Sequence, residues 1–598
     1  MSRSDNKNRA VLFFFNRKEV QWALKTFGVE TLKKSLCFSC SINAYETLTQ
    51  LSIKIHYYEN YFPKNRAEEL HSIAEEWSKN WYKTAGMKLN RSDIDLIKTS
   101  ELSLLNYFSK KLFQFSCIEQ VFKKEGSSTV YLGTESTNLK EELFGGFEQI
   151  SPVIKFLTGK KQIARVDIGK KWWSNKPTMA IRLLLYLLLL PKISLTKIKS
   201  TNADVLVVGH HYHLVNINNL ISNLKKQDKK VLVVGKIGLA KNFLFKEKID
   251  FLNLDRNIYI GDLPFIIKNK IVFLLKSKVS ENYFRYDDYN LSNIFKPKLL
   301  STLLVESLNS LVWTLMSREV FYNSKPKVLL CVSEDSSVQS FIETARSSKV
   351  LSVEIQHGFT VGSDSKYINA DKLLVWGKVS RSIYQKTGVD SKKLIICGWP
   401  AFEIYKGVKF KKKVSSKKTQ ITFLAQDPEG VSLLFMNKTP EENLDIFFKA
   451  VSTLGFNTTV VVRLHPRADK TAPFTVAKKY KVKFRLSENE RLNDLLSQAD
   501  IVVGQTTSAT LDAVIMHKPV IYLPSMRWPA KFVEGAGVAI EVNDVNSLRQ
   551  AIKLAVDKGI SKQMLTAQTK FVENYCNFPK DSNKLIAQTI LGIIHGKP

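Results

Sequence analysis

Two adjacent carboxylates, Glu334 and Asp335, follow the apolar run KVLLCV (327–332) and precede a helical stretch. At a strand end such a pair points into a cleft. One carboxylate acts as general base or nucleophile, the other as orienting group or acid. Asp335 or Ser336 would equally serve to cap the next helix. A second run, LSVEIQ (351–356), ends in Gln356, His357 and Gly358. Glycine lets a backbone approach a ligand closely, and histidine moves protons or binds phosphate near neutral pH. Downstream, QITFLA (420–425) ends in Gln426 and Asp427. TTVVVRL (458–464) contains Arg463 and runs into His465, Pro466 and Arg467. Two guanidiniums flanking an imidazole make an anion site, and Pro466 fixes the turn. DIVVG (500–504) is followed by Gln505-Thr506-Thr507-Ser508-Ala509-Thr510. The Thr507 and Ser508 hydroxyls at a helix start cradle a phosphate or simply cap the helix. GHHYH (209–213) also follows an apolar run. It reads as a polar cleft loop in which His211 meets the acceptor, because a metal site needs further ligands in suitable geometry.

These groups become one site only if strands deliver them to one edge. Short β-branched runs alternate with helical segments almost throughout. The early ones are VLFFF (11–15), SLCFSC (35–40), IKIHYY (53–58) and TVYLG (129–133). A denser series starts at DVLVVG (204–209) and KVLVVG (230–235), passes IYIG (258–261) and IVFLL (271–275), and ends at KLLVWG (372–377) and LIICG (394–398). Another runs from QITFLA to KVKFRL (481–486), PVIYLP (519–524) and VAIEV (538–542). Fully apolar strands alternating with helices predict parallel sheets covered on both faces. Ligands of such sheets bind beyond the carboxyl ends of the strands.

The expected organisation is an α/β extension over 1–200, one Rossmann-like domain over 201–405, a Lys-rich linker over 406–419 and a second Rossmann-like domain over 420–598. The apolar helix 179–190 lies in 170–192, beside Trp172, Trp173 and several basic residues. That combination suits either a membrane surface or a buried core helix. At twelve residues it is too short to cross a bilayer, which needs about 20.

Lys and Arg number 89 against 55 Asp and Glu, a formal charge of +34. An excess of that size points to an anionic partner: nucleic acid, a lipid surface, or a phosphorylated substrate. Lysine enrichment from an AT-rich genome accounts for a further share. A nucleic-acid binder would show a recognised module or basic–aromatic clusters, whereas these lysines are spread along the chain. Six scattered cysteines are no disulfide framework and fit a reducing compartment. The apolar run Val11–Phe15 is too short for a signal-peptide core. The reading is a cytoplasmic protein, peripheral on the inner face of the cytoplasmic membrane.

LLCVSEDSSVQSFIETARSSKVLSVEIQHG (329–358), VVVRLHPR (460–467) and ADIVVGQTTSATLDAVIMHKPVIYLP (499–524) together resemble bacterial surface-polysaccharide glycosyltransferases of the GT-B fold. Related layouts occur in CMP-Kdo and CMP-sialic acid transferases of capsule and lipopolysaccharide assembly, and in CDP-glycerol glycerophosphotransferases. The resemblance covers roughly 200–580. It implies two Rossmann-like domains facing a cleft, with a nucleotide-activated sugar, CMP- or UDP-linked, as donor substrate. The acceptor is a glycan or lipid-linked glycan, with no cofactor and no metal. It further implies Asp335 or Glu334 as the catalytic carboxylate and His357 as the active-site histidine. Arg463, His465 and Pro466 resemble the donor-phosphate motif, and Thr507 and Ser508 the hydroxyls that hold the phosphate. Gln426 is expected on the donor side, and His211, Gln356 and Gly358 on the acceptor side of the cleft. Ser336 stands where sialyltransferases carry glycine, which speaks against a sialic acid donor. Transfer of a polyol phosphate from a CDP-alditol is the alternative reading, and nucleic-acid binding the third.

Overall fold

The computed structural model describes residues 10–84, 90–91, 94–95, 101–126, 129–133, 150–168, 201–235, 240–253, 283–302, 307–332, 336–358, 368–406, 418–426, 434–436, 438–465, 468, 470–488, 490–526 and 533–596. The segments 170–192 and 407–417, the strand candidates 258–261 and 271–275, and Glu334, Asp335, Asp427, Pro466 and Arg467 lie outside the described residues.

Three parallel sheets organise the chain. The first holds β1 (Val11–Phe14), β2 (Leu36–Ser39), β3 (Ile55–His56), β6 (Thr129–Leu132) and β7 (Ala164–Asp167), in the order β3-β2-β1-β6-β7. The antiparallel pair β4 (Asn90–Arg91) and β5 (Ile94–Asp95) stands apart from it. The second holds β8 (Val205–Gly209), β9 (Val231–Gly235), β10 (Asp250–Asn253), β13 (Val328–Val332), β14 (Leu351–Ile355), β15 (Lys372–Val375) and β16 (Leu394–Ile396). Its order is β10-β9-β8-β13-β14-β15-β16, with the hairpin β11 (Arg285–Tyr286) and β12 (Tyr289–Asn290) separate. The third holds β17 (Thr419–Leu424), β18 (Thr458–Arg463), β19 (Arg485–Leu486), β20 (Ile501–Gly504), β21 (Val520–Tyr522) and β22 (Ile540–Glu541), in the order β19-β18-β17-β20-β21-β22.

Register follows the apolar runs. Val11 pairs with Leu36 and Val130, Val328 with Val205 and Leu351, and Ile421 with Val460 and Ile501. Strands β1, β8, β9, β13 and β20 are buried end to end, as central strands covered on both faces must be. In each sheet the first strand is central, and the build-up changes sides between β1 and β6, between β8 and β13, and between β17 and β20. Those three changes are the topological switch points, where doubly wound sheets open a crevice for a ligand. The second of the twin VLVVG strands has a steric reason for ending in glycine. A Cβ on Gly235 would lie 2.0 Å from the Gly209 carbonyl oxygen.

The N-terminal extension is thus a complete doubly wound unit. Its core joins Val11, Phe13 and Phe38 to Trp77, Phe108 and Phe115 of two long helices, Ala67–Thr84 and Glu101–Glu125. Phe284, Tyr286, Leu291 and Phe295 share that core, although the sequence places them within the second unit. Arg66 ties the same stretch down through Asp287, at 2.8 Å, and lies over the Tyr286 ring. Leu434, Phe435, Met436 and Met526 of the third unit join this core as well. Asn60 and Glu46 then reach the third unit by hydrogen bonds to Glu442 and Thr475, each 2.9 Å. The extension therefore braces both other units.

The C-terminal helix Ser582–Ile594 crosses back to the second unit. Its Ile586, Ala587 and Ile590 share a core with Val205, Val207 and Leu220, and Ser582 N donates to Glu403 Oε1 at 2.6 Å. Tyr405 OH donates to Asp512 Oδ1 at 2.6 Å across the same junction. Burial of the Asp512 carboxyl pushes it up to about 7, only partly offset by the Tyr405 hydrogen bond. The second and third sheets with this returning helix form the expected α/β, GT-B-like pair of Rossmann units.

Candidate active site

Each unit offers one switch-point crevice, and the three are furnished differently. In the N-terminal unit the chain leaves β1 at Phe15 and Asn16 and enters the helix Arg17–Phe27. Asn16 and Glu19 form a reciprocal capping box. Glu19, 3% exposed, turns its carboxylate back to the strand end. Its Oε2 accepts from Phe15 N at 2.7 Å and Asn16 N at 3.3 Å, and its Oε1 accepts from Asn16 Nδ2 at 2.7 Å. A Cβ on Gly133, just after β6, would lie 2.1 Å from Glu19 Oε2. The chain's own carboxylate therefore fills the place, and takes the backbone donors, that an anionic ligand uses in such folds.

The middle crevice carries imidazoles. Gly209 ends β8, His210 follows, and His211 opens the helix His211–Asn216. The His213 ring of that helix meets the His357 ring, which follows β14, with centroids 4.9 Å apart and planes at 67°. Strand β13 runs between β8 and β14, so its end at Val332 lies between these two histidine-bearing strand ends. His357 is exposed and Gly358 half-buried. Gln356 is buried and holds this edge together. Its Oε1 accepts from Trp376 N at 3.0 Å, its carbonyl from Trp376 Nε1 at 2.7 Å, and its Nε2 donates to the Gly358 carbonyl at 2.8 Å. Its geometry is that of a positioning residue for the loop bearing His357.

The third crevice is ringed by amides and hydroxyls. Gln426, beyond β17, receives the Ser525 hydroxyl at Oε1, and its Nε2 lies 2.9 Å from Met526 Sδ. Its backbone N donates to Gln505 Oε1 at 2.7 Å. Ser525 Oγ accepts from Thr506 N at 3.2 Å. Thr506 Oγ1 pairs with Tyr522 OH at 2.6 Å, and Tyr522 OH donates to Glu534 at 2.9 Å. Burial, with Glu534 beside it, drives the Tyr522 hydroxyl far above the ordinary tyrosine range, so it stays a neutral donor. Thr507 is the N-cap of the helix Ser508–Ile515, yet its side chain makes no capping hydrogen bond. Ser508 is exposed. Gly504 is required here because a Cβ would lie 2.5 Å from Thr510 Oγ1, which itself donates to the Gln505 carbonyl at 2.7 Å.

The structure gives Arg463 a local partner set. Its Nη1 donates to the carbonyls of Glu488 at 2.9 Å and of Ser487 and Glu490 at 3.2 Å each. It thereby fixes the turn 487–490 after β19. His465 sits half-buried beyond β18. β18 neighbours β17 on the side away from β20, so His465 flanks the crevice rather than sharing its edge.

Gln426, Thr507 and Ser508 are brought to one crevice, and His357 and Gly358 to another. Tyr522, Ser525 and Glu534 complete the third site and were not singled out by sequence, whereas Gln505 and His213 lie in the two polar stretches, 505–510 and 209–213, that the sequence did point to. The nearest signals were the polar residues just after DIVVG and PVIYLP, and the third histidine of GHHYH. Among the described residues, no three His, Cys, Asp or Glu side chains gather as a metal site. No described helix is long and apolar enough to cross a membrane.

No family model matches the chain, and no curated protein matches it. Among solved structures it is similar to a UDP-GlcNAc 2-epimerase from Neisseria meningitidis bound to UDP-GlcNAc, at 13% identity and a TM-score of 0.42. That match covers 65% of this chain and 99% of the other. It is likewise similar to a glycosyltransferase from Rickettsia africae, at 14% identity and a TM-score of 0.41, covering 66% and 98%. A UDP-GlcNAc 2-epimerase from Methanocaldococcus jannaschii gives 12% identity and a TM-score of 0.41, covering 65% and 99%.

Proposed function

We propose that the chain is a glycosyltransferase that moves a sugar from a nucleotide-activated donor to a bacterial surface glycan. One observation carries this reading. The third sheet's switch point is ringed by neutral hydrogen-bond donors at a helix start whose N-cap hydroxyl caps nothing. Such a place receives phosphate. The donor's nucleotide sits there, with Gln426, Thr507 and Ser508 as contacts.

The acceptor binds at the middle crevice. A carboxylate that follows β13 in sequence, Asp335 or Glu334, takes the acceptor proton in an inverting transfer or attacks the anomeric carbon in a retaining one. His357, backed by His213, exchanges protons beside it. The leaving nucleotide gains negative charge as the glycosidic bond breaks. Prearranged donors at the start of the helix Ser508–Ile515 stabilise that charge without metal chemistry being required of them.

The imidazole pair also favours a second reading, polyol-phosphate transfer from a CDP-alditol, with His357 as base. Incubation with CMP-, UDP-, GDP- and CDP-linked compounds separates the two. A sugar released or transferred supports the first, and a polyol phosphate the second. Turnover of none of them removes both.

A further inference from the structure

Gln505 directly follows β20 at the switch point of the third sheet and is 1% exposed. Three of its four polar groups are engaged. Its backbone N donates to the Leu424 carbonyl at 3.2 Å. Its carbonyl accepts from Thr507 N at 2.8 Å and from Thr510 Oγ1 at 2.7 Å. Its Oε1 accepts from Gln426 N at 2.7 Å. That last bond fixes which branch of the side-chain amide is oxygen, because a backbone N–H needs an acceptor. Nε2 is then the other branch, and it is buried without a hydrogen-bond partner. A dry, unmatched amide donor is costly and calls for an explanation. Loose packing does not supply one, since the rest of the residue is pinned on both sides.

The position supplies it. Gln505 directly follows β20 at the switch point and stands three residues ahead of Ser508, where the next helix starts. The N–H groups of that first turn favour an anion. We infer that Gln505 Nε2 donates to a phosphate oxygen of the nucleotide donor, as the buried member of a cradle completed by Thr507 and Ser508. This rests on the proposed donor site and names the residue that senses the phosphate. Because that phosphate gains charge in the transition state, the contact strengthens during transfer. A neutral amide does this without the desolvation cost of a buried cation.

The test uses the full chain with Gln505→Glu, which keeps an acceptor for Gln426 N, and Gln505→Met, which removes the donor with little change of size. Folding is checked by circular dichroism. CMP, UMP, cytidine and uridine are titrated by calorimetry against each. The expected result is that the nucleotide bound by wild type binds at least about tenfold more weakly to both variants, while affinity for the matching nucleoside is unchanged. With the active donor, transfer falls by about 10²-fold. Equal losses for nucleoside and nucleotide would show that the amide reads the base and would overturn the phosphate assignment, as would unchanged nucleotide binding in both variants. Wild type binding no nucleotide would instead overturn the donor-site reading itself, and this inference with it.

Discussion

Alanine at His357 is expected to slow the proposed transfer by about 10²–10⁴-fold, the range for loss of a positioned acid or base, and to leave nucleotide affinity as it was. The two effects separate because the residues sit on different sheets. His357 follows β14 of the second, and the proposed phosphate site follows β20 of the third. The ring is held in place from two sides. His213 packs edge to face against it at 4.9 Å. Gln356 locks the loop through Trp376 and Gly358. If His213 and His357 act as a unit, the double alanine variant is no slower than the worse single one. Single-turnover transfer with saturating donor measures this directly. Full transfer by His357→Ala would remove the histidine from the chemistry.

Alanine at Glu19 costs roughly 2–4 kcal/mol of local stability, combining a lost cap with buried donors left unmatched. Its carboxylate receives two backbone N–H groups and the Asn16 amide, in a space that Gly133 leaves open. The chain has several units, so a global melting curve would blend their transitions. Hydrogen exchange at Phe15 and Asn16 reports the site itself. Their amides are expected to lose protection in Glu19→Ala and to lose less in Glu19→Gln, which keeps an oxygen in place. Unchanged exchange in Glu19→Ala would mean that the carboxylate is not what closes this crevice.

The pattern of fully apolar strands made most of the sheet content legible. Runs such as DVLVVG, KVLLCV and DIVVG are strands within a residue of their expected ends. The strand-end rule also placed Gln426, Thr507, Ser508 and His357 just beyond strand ends, where the structure has them. Other features depend on contacts that no local pattern reports. Asp250–Asn253 is a half-exposed edge strand without the apolar signature of its neighbours. Phe284 and Phe295 read as part of the second unit but are buried in the first, because only the folded chain brings the long N-terminal helices over them. Arg463 reads in VVVRLHPR as one cation of an anion site, and no local pattern reports that its Nη1 also holds the carbonyls of Ser487, Glu488 and Glu490, more than twenty residues away. GHHYH offers three histidines, and the ring of His213 is brought against that of His357. Gln505 reads in sequence only as the first polar residue after DIVVG, because its significance is a missing partner, which only packing defines.

The central claim is that one of three similar crevices, the one between β17 and β20, receives the nucleotide. Hydrogen–deuterium exchange of the full chain, with and without the nucleotide that binds in titration, tests this most directly. The account predicts new protection across Gly504–Leu511 and at Gln426, with no change at Phe15–Val20, where Glu19 already occupies the corresponding place. Protection at Phe15–Val20, or none at Gly504–Leu511 under saturating nucleotide, would contradict it.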